Sequence, residues 1–185
     1  SMPSVKENYA NNWRIAKSPS FVKLMTDEIR ELRPRVVRIH VGGDFYSSGY
    51  VRKWRSIVRQ SRHTVFFTYT RSWQLAELAE DLQLLSLEPN MRLWLSTDNT
   101  MPQPPNWPHA RVCFLARNDQ DQPPRHVDLV FRNRARTVRK FFNHQSLVCP
   151  AENKATEIKC ERCRLCYQSV SWWNQRTKAF SLRHE

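Results

Sequence analysis

The chain has 185 residues, of which 30 are Lys or Arg and 17 are Asp or Glu, so its formal net charge at pH 7 is +13. Hydrophobic residues make up 40% of the chain, which excludes a disordered polyelectrolyte. No apolar run approaches the roughly 20 residues that span a bilayer, and the first residues lack the apolar core of a secretory signal. The sequence therefore predicts one soluble domain with a small appendage, located in the cytoplasm and without membrane association.

Helical and strand patterns alternate along most of the chain. Apolar residues spaced for a helix occur at 17–33, 49–61 and 73–86. Short runs typical of strands occur at 36–41, 64–70, 92–97, 111–116 and 127–131. Strands that alternate with helices are typical of parallel βαβ units, and continuous apolar runs indicate strands buried on both faces. The pattern therefore predicts an α/β fold built on a parallel sheet.

The three glycines of the chain, Gly42, Gly43 and Gly49, all follow the first predicted strand. In parallel α/β folds, ligands bind at the carboxyl ends of strands, where Asp44 and Asp98 also fall. We therefore predict a ligand-binding turn formed by Gly42, Gly43 and Asp44. Asp44 and Asp98 are candidate catalytic carboxylates, suited to holding Mg²⁺ between phosphates. The alternative is a tight turn in which Asp44 only caps the residues that follow.

Four of the five cysteines form a C-x10-C-x2-C-x2-C group, which consists of Cys149, Cys160, Cys163 and Cys166. Four thiolates at such spacing complete either a tetrahedral zinc site or a [4Fe–4S] cluster. We predict the [4Fe–4S] cluster, with Zn²⁺ as the alternative, because zinc sites usually pair two separate CxxC units. Disulfides are disfavoured in a cytosolic chain. Cys113 lies within a predicted strand and is interpreted as a small buried hydrophobic residue.

The second half of the chain contains the densest group of basic residues. This group consists of Arg132, Arg134, Arg136, Arg139 and Lys140. Basic side chains neutralise phosphates and nearby aromatic rings stack on bases, so we predict DNA or RNA as a partner. A solvated basic face and an acidic protein partner are the alternatives. Trp172 and Trp173 either join this surface or dock the tail on the body of the protein.

Several strings extend over nearly the whole chain and resemble the phage and plasmid gene product 88 family. They are PSVKENYANNW, VVRIHVGGDFYSSGYVRKW, TYTRSW, LWLSTDN, CPAENK and CERCRLCY. The resemblance implies no particular activity.

More remotely, VGGDF (41–45) and WLSTD (94–98) are similar to two strand ends of the radical S-adenosylmethionine enzymes. This resemblance implies a partial (β/α) barrel, in which Asp44 and the glycines before it hold the methionyl amine of the cofactor. It also implies that the four grouped cysteines form an auxiliary cluster. No cysteine precedes Cys113, so the loop that would bind the catalytic cluster is absent. Met2 is accordingly expected to be an internal start or the start of a shortened version.

These observations predict a barrel-like body at 1–145, a four-cysteine metal-cluster module at 146–170 and an aromatic, basic tail at 171–185. The leading functional hypothesis is a metal-cluster protein of phage or plasmid type that binds nucleic acid or acts as an accessory. One alternative is a radical-type or metal-dependent enzyme acting at the GGD strand end and incomplete in this chain. Another is a protein–protein interaction module.

Overall fold

A computed structural model describes residues 5–118, 120–124, 126–132, 147–150, 158–169 and 171–175. The helices of this part include α1 (Val5–Lys17), α2 (Phe21–Leu32), α3 (Ser48–Gln60), α4 (Ala76–Ser86) and α5 (Cys160–Cys163), and residues 171–175 are also helical. The strands are β1 (Val36–Arg38), β2 (Val65–Thr70), β3 (Met91–Thr97), β4 (Ala110–Ala116), β5 (Leu129–Arg132) and β6 (Leu147–Val148). Two 3-10 turns, Ser72–Gln74 and Leu165–Tyr167, are also present.

The six strands form one sheet in the order of the sequence, and each pairs with its neighbours in parallel. Helices α3 and α4 connect β1 to β2 and β2 to β3, as expected of βαβ units. The sheet curls into a half-barrel. The predicted α/β fold with a partial barrel-like parallel sheet is therefore confirmed.

The outer face of the sheet is covered by helices. Phe66, Leu93 and Leu95 pack there in one core cluster with side chains of α3 and α4 such as Ile57 and Leu82. All five side chains are at most 1% exposed. Burial of one such side chain contributes about 1.5–3 kcal/mol. This apolar layer stabilises the sheet on its outer face.

The inner face of the sheet is covered by the cysteine-rich segment and the residues after it. Trp94, Cys113 and Leu129 point to this side and form a second cluster with Cys149 and Trp173. Successive residues of a strand point to opposite faces, so β3 and β4 contribute to both layers. Burial on both sides explains why their sequences read as continuous apolar runs.

Three elements differ from the sequence prediction. The polar segment Val5–Lys17 forms α1, which the apolar pattern did not indicate; its Trp13 ring contacts Tyr46 at 4.4 Å between centroids. Strand β1 ends at Arg38 instead of residue 41, and Val41 is 83% exposed. Strand β6 falls inside the predicted 146–170 module but pairs with β5 of the sheet. The proposed division into body, module and tail remains a prediction.

Truncation of Leu82, which is fully buried between α4 and the sheet, is expected to destabilise the protein strongly. Leu82→Ala removes three carbon atoms from a packed core and should lower the free energy of unfolding by about 2–5 kcal/mol. Leu87→Ala is the control, because Leu87 is 49% exposed, and its effect should stay within about 0.5 kcal/mol. Urea unfolding followed by circular dichroism measures both; equal losses would contradict the outer core described here.

Candidate metal-binding site

A cavity of about 440 Å³ lies between the inner face of the sheet and the cysteine-rich segment. Its wall on the sheet side includes Phe67, Tyr69, Ser96 and Phe131. All five cysteines of the chain also line it: Cys113, Cys149, Cys160, Cys163 and Cys166. The four cysteines that the sequence groups together are thus brought to one place by the fold.

The local backbone explains how three closely spaced cysteines come to line one wall. Cys160 and Cys163 begin and end the single-turn helix α5, in which the Cys163 amide donates to the Lys159 carbonyl at 3.0 Å. Arg164 then adopts a left-handed conformation with φ of 58°. This reversal stops the helix and starts the 3-10 turn that contains Cys166. Cysteines at C-x2-C spacing need a tight turn of this kind if their thiols are to bind the same metal centre.

Tryptophans of the inner layer attach the segment to the sheet. The Trp94 indole N–H of β3 donates to the Cys166 carbonyl at 2.8 Å. Trp173 is 3% exposed, meets the Trp94 ring at 5.4 Å between centroids and donates to the Leu165 carbonyl. The structure therefore shows that Trp173 docks on the inner layer of the sheet, which is one of the two roles predicted for it.

Burial disfavours the thiolate form of two cysteines on the cavity wall, Cys113 and Cys166. Burial raises the pKa of Cys113 to about 12. Burial also raises the pKa of Cys166; the nearby thiols of Cys160 and Cys163 add to this effect, and the Tyr69 hydroxyl and Arg38 oppose it. A metal that binds here must therefore displace thiol protons. Arg38, whose guanidinium lies 5.3 Å from the Tyr69 ring centroid, places positive charge beside the cavity.

Within the described ranges, no group of three or more His, Cys, Asp and Glu side chains is arranged to hold a metal ion. The thiols stand around a common cavity instead of meeting at one point. The metal-ligand role predicted for Cys149, Cys160, Cys163 and Cys166 therefore stays a prediction. Sequence reasoning treated Cys113 as core packing only; its burial is confirmed, but its position on the cavity wall was missed. Its place in a strand buried on both faces was the only available signal.

The candidate carboxylates Asp44 and Asp98 lie at the carboxyl ends of the strands, as predicted, and both are fully engaged. Asp44 accepts hydrogen bonds from the Thr70 hydroxyl at 2.6 Å and from the Arg71 amide at 2.6 Å. The Asp98 side chain is buried and accepts from the guanidinium groups of Arg71 at 2.9 Å and Arg117 at 2.6 Å. These contacts explain both carboxylates structurally, and a catalytic role for either remains a prediction.

The glycines of the predicted ligand-binding turn have identifiable backbone roles. Gly43 has a backbone φ of +82°, a conformation that residues with a side chain rarely adopt. A Cβ on Gly42 would collide with the Tyr9 hydroxyl of α1, so the missing side chain allows α1 to approach. Asp44 accepts a further hydrogen bond from the Phe45 amide at 2.8 Å. These contacts do not show whether Gly42, Gly43 and Asp44 bind a ligand, so that role stays a prediction.

The predicted nucleic-acid surface is mostly outside the part of the chain that is described. Arg132 ends β5 and is half-buried. Arg134, Arg136, Arg139 and Lys140 lie outside the described residues. Among the described residues, no helix is long and apolar enough to cross a membrane.

Comparison with known proteins places the chain in a phage family. The family described as Gene product 88 matches residues 1–169, and the chain therefore belongs to it. The chain is similar to the Gene 88 protein of Mycobacterium phage L5, with 28% identity over 173 residues that cover 84% of this chain and 65% of the relative. It is also similar to the Gene 88 protein of Mycobacterium phage D29, with 29% identity over 99 residues, 48% of this chain and 40% of the relative.

The chain spans less than two thirds of the length of these two curated relatives. No solved structure matches it. The predicted membership of the gene product 88 family is confirmed, whereas the remote resemblance to radical S-adenosylmethionine enzymes has no support from these comparisons.

Asp98→Asn is expected to destabilise the protein in a pH-dependent way. Burial raises the pKa of Asp98, but hydrogen bonds from Thr100 and the charges of Arg71 and Arg117 outweigh burial. The pKa of Asp98 therefore lies below its usual range. The ionised Asp98 therefore stabilises the fold fully above about pH 4, which is the pKa of this carboxyl in the unfolded chain. The stabilisation is lost as the pH falls through the lower pKa of Asp98 in the folded protein. At pH 7 the substitution should cost about 1–3 kcal/mol, and the difference from wild type should narrow below about pH 4.

Urea unfolding at pH 7 and at pH 3 measures this difference. Asp27→Asn is the control, because Asp27 forms exposed ion pairs with Lys23 and Arg30 and should have little effect. A cost for Asp98→Asn that is the same at both pH values would show that the charge of Asp98 does not stabilise the fold.

Proposed function

We propose that this member of the gene product 88 family is an iron–sulfur protein that binds a [4Fe–4S] cluster in its inner cavity. The carrying observation is that all the thiols of the C-x10-C-x2-C-x2-C group line one cavity, although they come from separate segments. Cys149 follows β6, Cys160 and Cys163 belong to α5, and Cys166 lies in the next turn. A cubane cluster usually takes four thiolates as ligands, and the cavity wall, which also includes Cys113, supplies at least that number.

The size of the cavity supports a cluster over a single zinc ion. With Zn–S bonds of about 2.3 Å, the sulfurs of a tetrahedral zinc site lie about 3.8 Å from one another. Thiols placed around a volume of about 440 Å³ leave space for a larger inorganic group. Ligation would require rotation of the cysteine side chains toward the cluster, which staggered rotamers allow.

The residues around the cavity fit an anionic, water-sensitive group. Arg38 and Arg164 line the cavity and offset the negative charge of thiolates. Phe67, Tyr69 and Phe131 provide an aromatic wall on the sheet side of the cavity. A bound cluster supplies one-electron transfer, and its potential depends on charge, hydrogen bonds and solvent exposure. The contribution of this chain is thus to hold the thiols, shield them and place positive charge nearby.

Anaerobic purification tests the proposal directly. We expect brown protein with a broad absorbance near 400 nm and about four iron and four sulfide ions per chain. Cys166→Ala should lose the colour, because Cys166 is anchored to the sheet through its own carbonyl and supplies a half-buried thiol. Tyr167→Phe is the control, since it keeps the ring beside Phe67 and all five thiols. Colourless protein with one zinc ion per chain would contradict the cluster and favour the Zn²⁺ alternative.

A second function, binding of DNA or RNA, is supported by the net charge of +13 and by 22 arginines among the 30 basic residues. Arginine grips phosphate with two parallel hydrogen bonds and stacks on rings. Neutralisation of phosphates releases counterions, so affinity should fall steeply as salt rises. The basic group at 132–140 is the sequence candidate for the contact.

Fluorescence anisotropy with labelled oligonucleotides at increasing salt measures this binding. Replacement of Arg134, Arg136, Arg139 and Lys140 by Ala should reduce the slope of log affinity against log salt by about 3–4. The matched control replaces four exposed basic residues of the outer helices and the turn after α3, with the same change in charge: Lys23, Arg30, Arg59 and Arg62. Equal effects of both variants, or binding independent of salt, would contradict a specific basic surface at 132–140.

A further inference from the structure

The cavity contains one thiol more than a cubane cluster needs, and the fifth comes from the sheet. Cys113 lies in the middle of β4, where it is registered between Ser96 of β3 and Leu129 of β5. Its neighbours Val112 and Phe114 pack in a separate cluster on the other face, so the Cys113 side chain points inward. It lines the same cavity as the four C-terminal cysteines and is 1% exposed.

The five thiols differ in their exposure to solvent. Cys113 and Cys149 are buried at 1% and 8% exposure, Cys163 and Cys166 are half-buried, and Cys160 is exposed. Cys113 and Cys149 also belong to one packed cluster, against which Cys166 packs. The four least exposed thiols therefore include Cys113 and leave out Cys160.

We infer that Cys113 is a ligand of the cluster, together with Cys149, Cys163 and Cys166, and that the thiol of Cys160 remains on the solvent side. This assignment rests on the proposed function. When each ligand binds, an iron–sulfur bond forms and the thiol proton leaves to solvent. Exposed thiolates react with oxidants, whereas thiols packed in an apolar wall are shielded. A cluster held by these four thiols, the least exposed of the five, would lie on the sheet side of the cavity.

Single substitutions of the two competing cysteines test the assignment. Iron and sulfide contents are measured on anaerobically reconstituted full-length chains, and the melting temperature is compared with and without the cluster. Cys113→Ala should retain fewer than about one iron ion per chain, and reconstitution should no longer raise its melting temperature. Cys160→Ala should keep about four iron ions and the full increase in melting temperature, as expected for a four-thiolate cluster.

Two further variants separate ligation from packing. Leu115→Ala opens the same cavity wall on the same strand without removal of a thiol, and it should retain its iron. Cys113→Ser keeps the size of the side chain in case Cys113→Ala does not fold, and it should lose iron in the same way.

The outcomes distinguish the two proposals. Full iron content in folded Cys113→Ala or Cys113→Ser, or loss of iron in Cys160→Ala, overturns the assignment of Cys113 and leaves the iron–sulfur proposal in place. Loss of iron in Leu115→Ala equal to that in Cys113→Ala also overturns it, because packing alone would then explain the effect. Wild-type protein without iron overturns the proposed function itself, and the assignment with it.

Discussion

The attachment of the cysteine-rich segment to the inner face of the sheet is the contact on which the candidate site depends. Helix α5 and the 3-10 turn after it contain no buried side chain, so their conformation cannot come from a core of their own. The indole of Trp94 binds the Cys166 carbonyl, and Trp173 packs against the same ring. Two aromatic rings thus fix the position of a segment whose Cys166 lies 72 residues away from Trp94 in the sequence.

The inner layer of the sheet differs in chemistry from the outer layer. The outer layer is a closely packed apolar cluster, whereas the inner face carries Tyr69, Ser96 and Cys113 around a cavity. A half-barrel leaves its concave face open, and a short segment can cover that face only in part. Because the cavity is lined by apolar rings and thiols, charge within it is poorly solvated, and Arg38 and Arg164 on its wall place positive charge beside it. An anionic group bound in this cavity would therefore depend on these arginines for compensation of its charge.

At the carboxyl ends of the strands, buried charges join loops that are distant in sequence. Arg71 donates its amide to Asp44 and its guanidinium to Asp98, which also binds Arg117. The loops after β1, β2, β3 and β4 are therefore linked by one network. If its arginines were removed, the Asp98 carboxylate would be left buried without a compensating charge. The network therefore holds together the loops at the rim of the half-barrel. The polar residues that the sequence places at the strand ends have this structural use.

The sequence by itself determined the class of fold, the approximate positions of β1 to β5 along the chain and the grouping of four cysteines. These are local properties: strand and helix periods depend on neighbouring residues, and C-x2-C spacing depends on one turn. It did not indicate α1, because this segment is polar and its rings Tyr9 and Trp13 contact the loop after β1, at Gly42 and Tyr46. It ended β1 too late, because the turn toward Gly43 depends on backbone conformation rather than hydrophobicity.

Tertiary structure alone decided which residues meet at the cavity. Cys113 looks like any small residue of a buried strand, and only the curl of the sheet and the return of the chain bring Cys166 opposite to it. The engagement of Asp98 by two arginines likewise depends on loops from different strands. Long-range contacts of this kind leave no periodic signal in the sequence, because the residues involved are separated by tens of positions. They meet only when the sheet has formed and the cysteine-rich segment packs on its inner face.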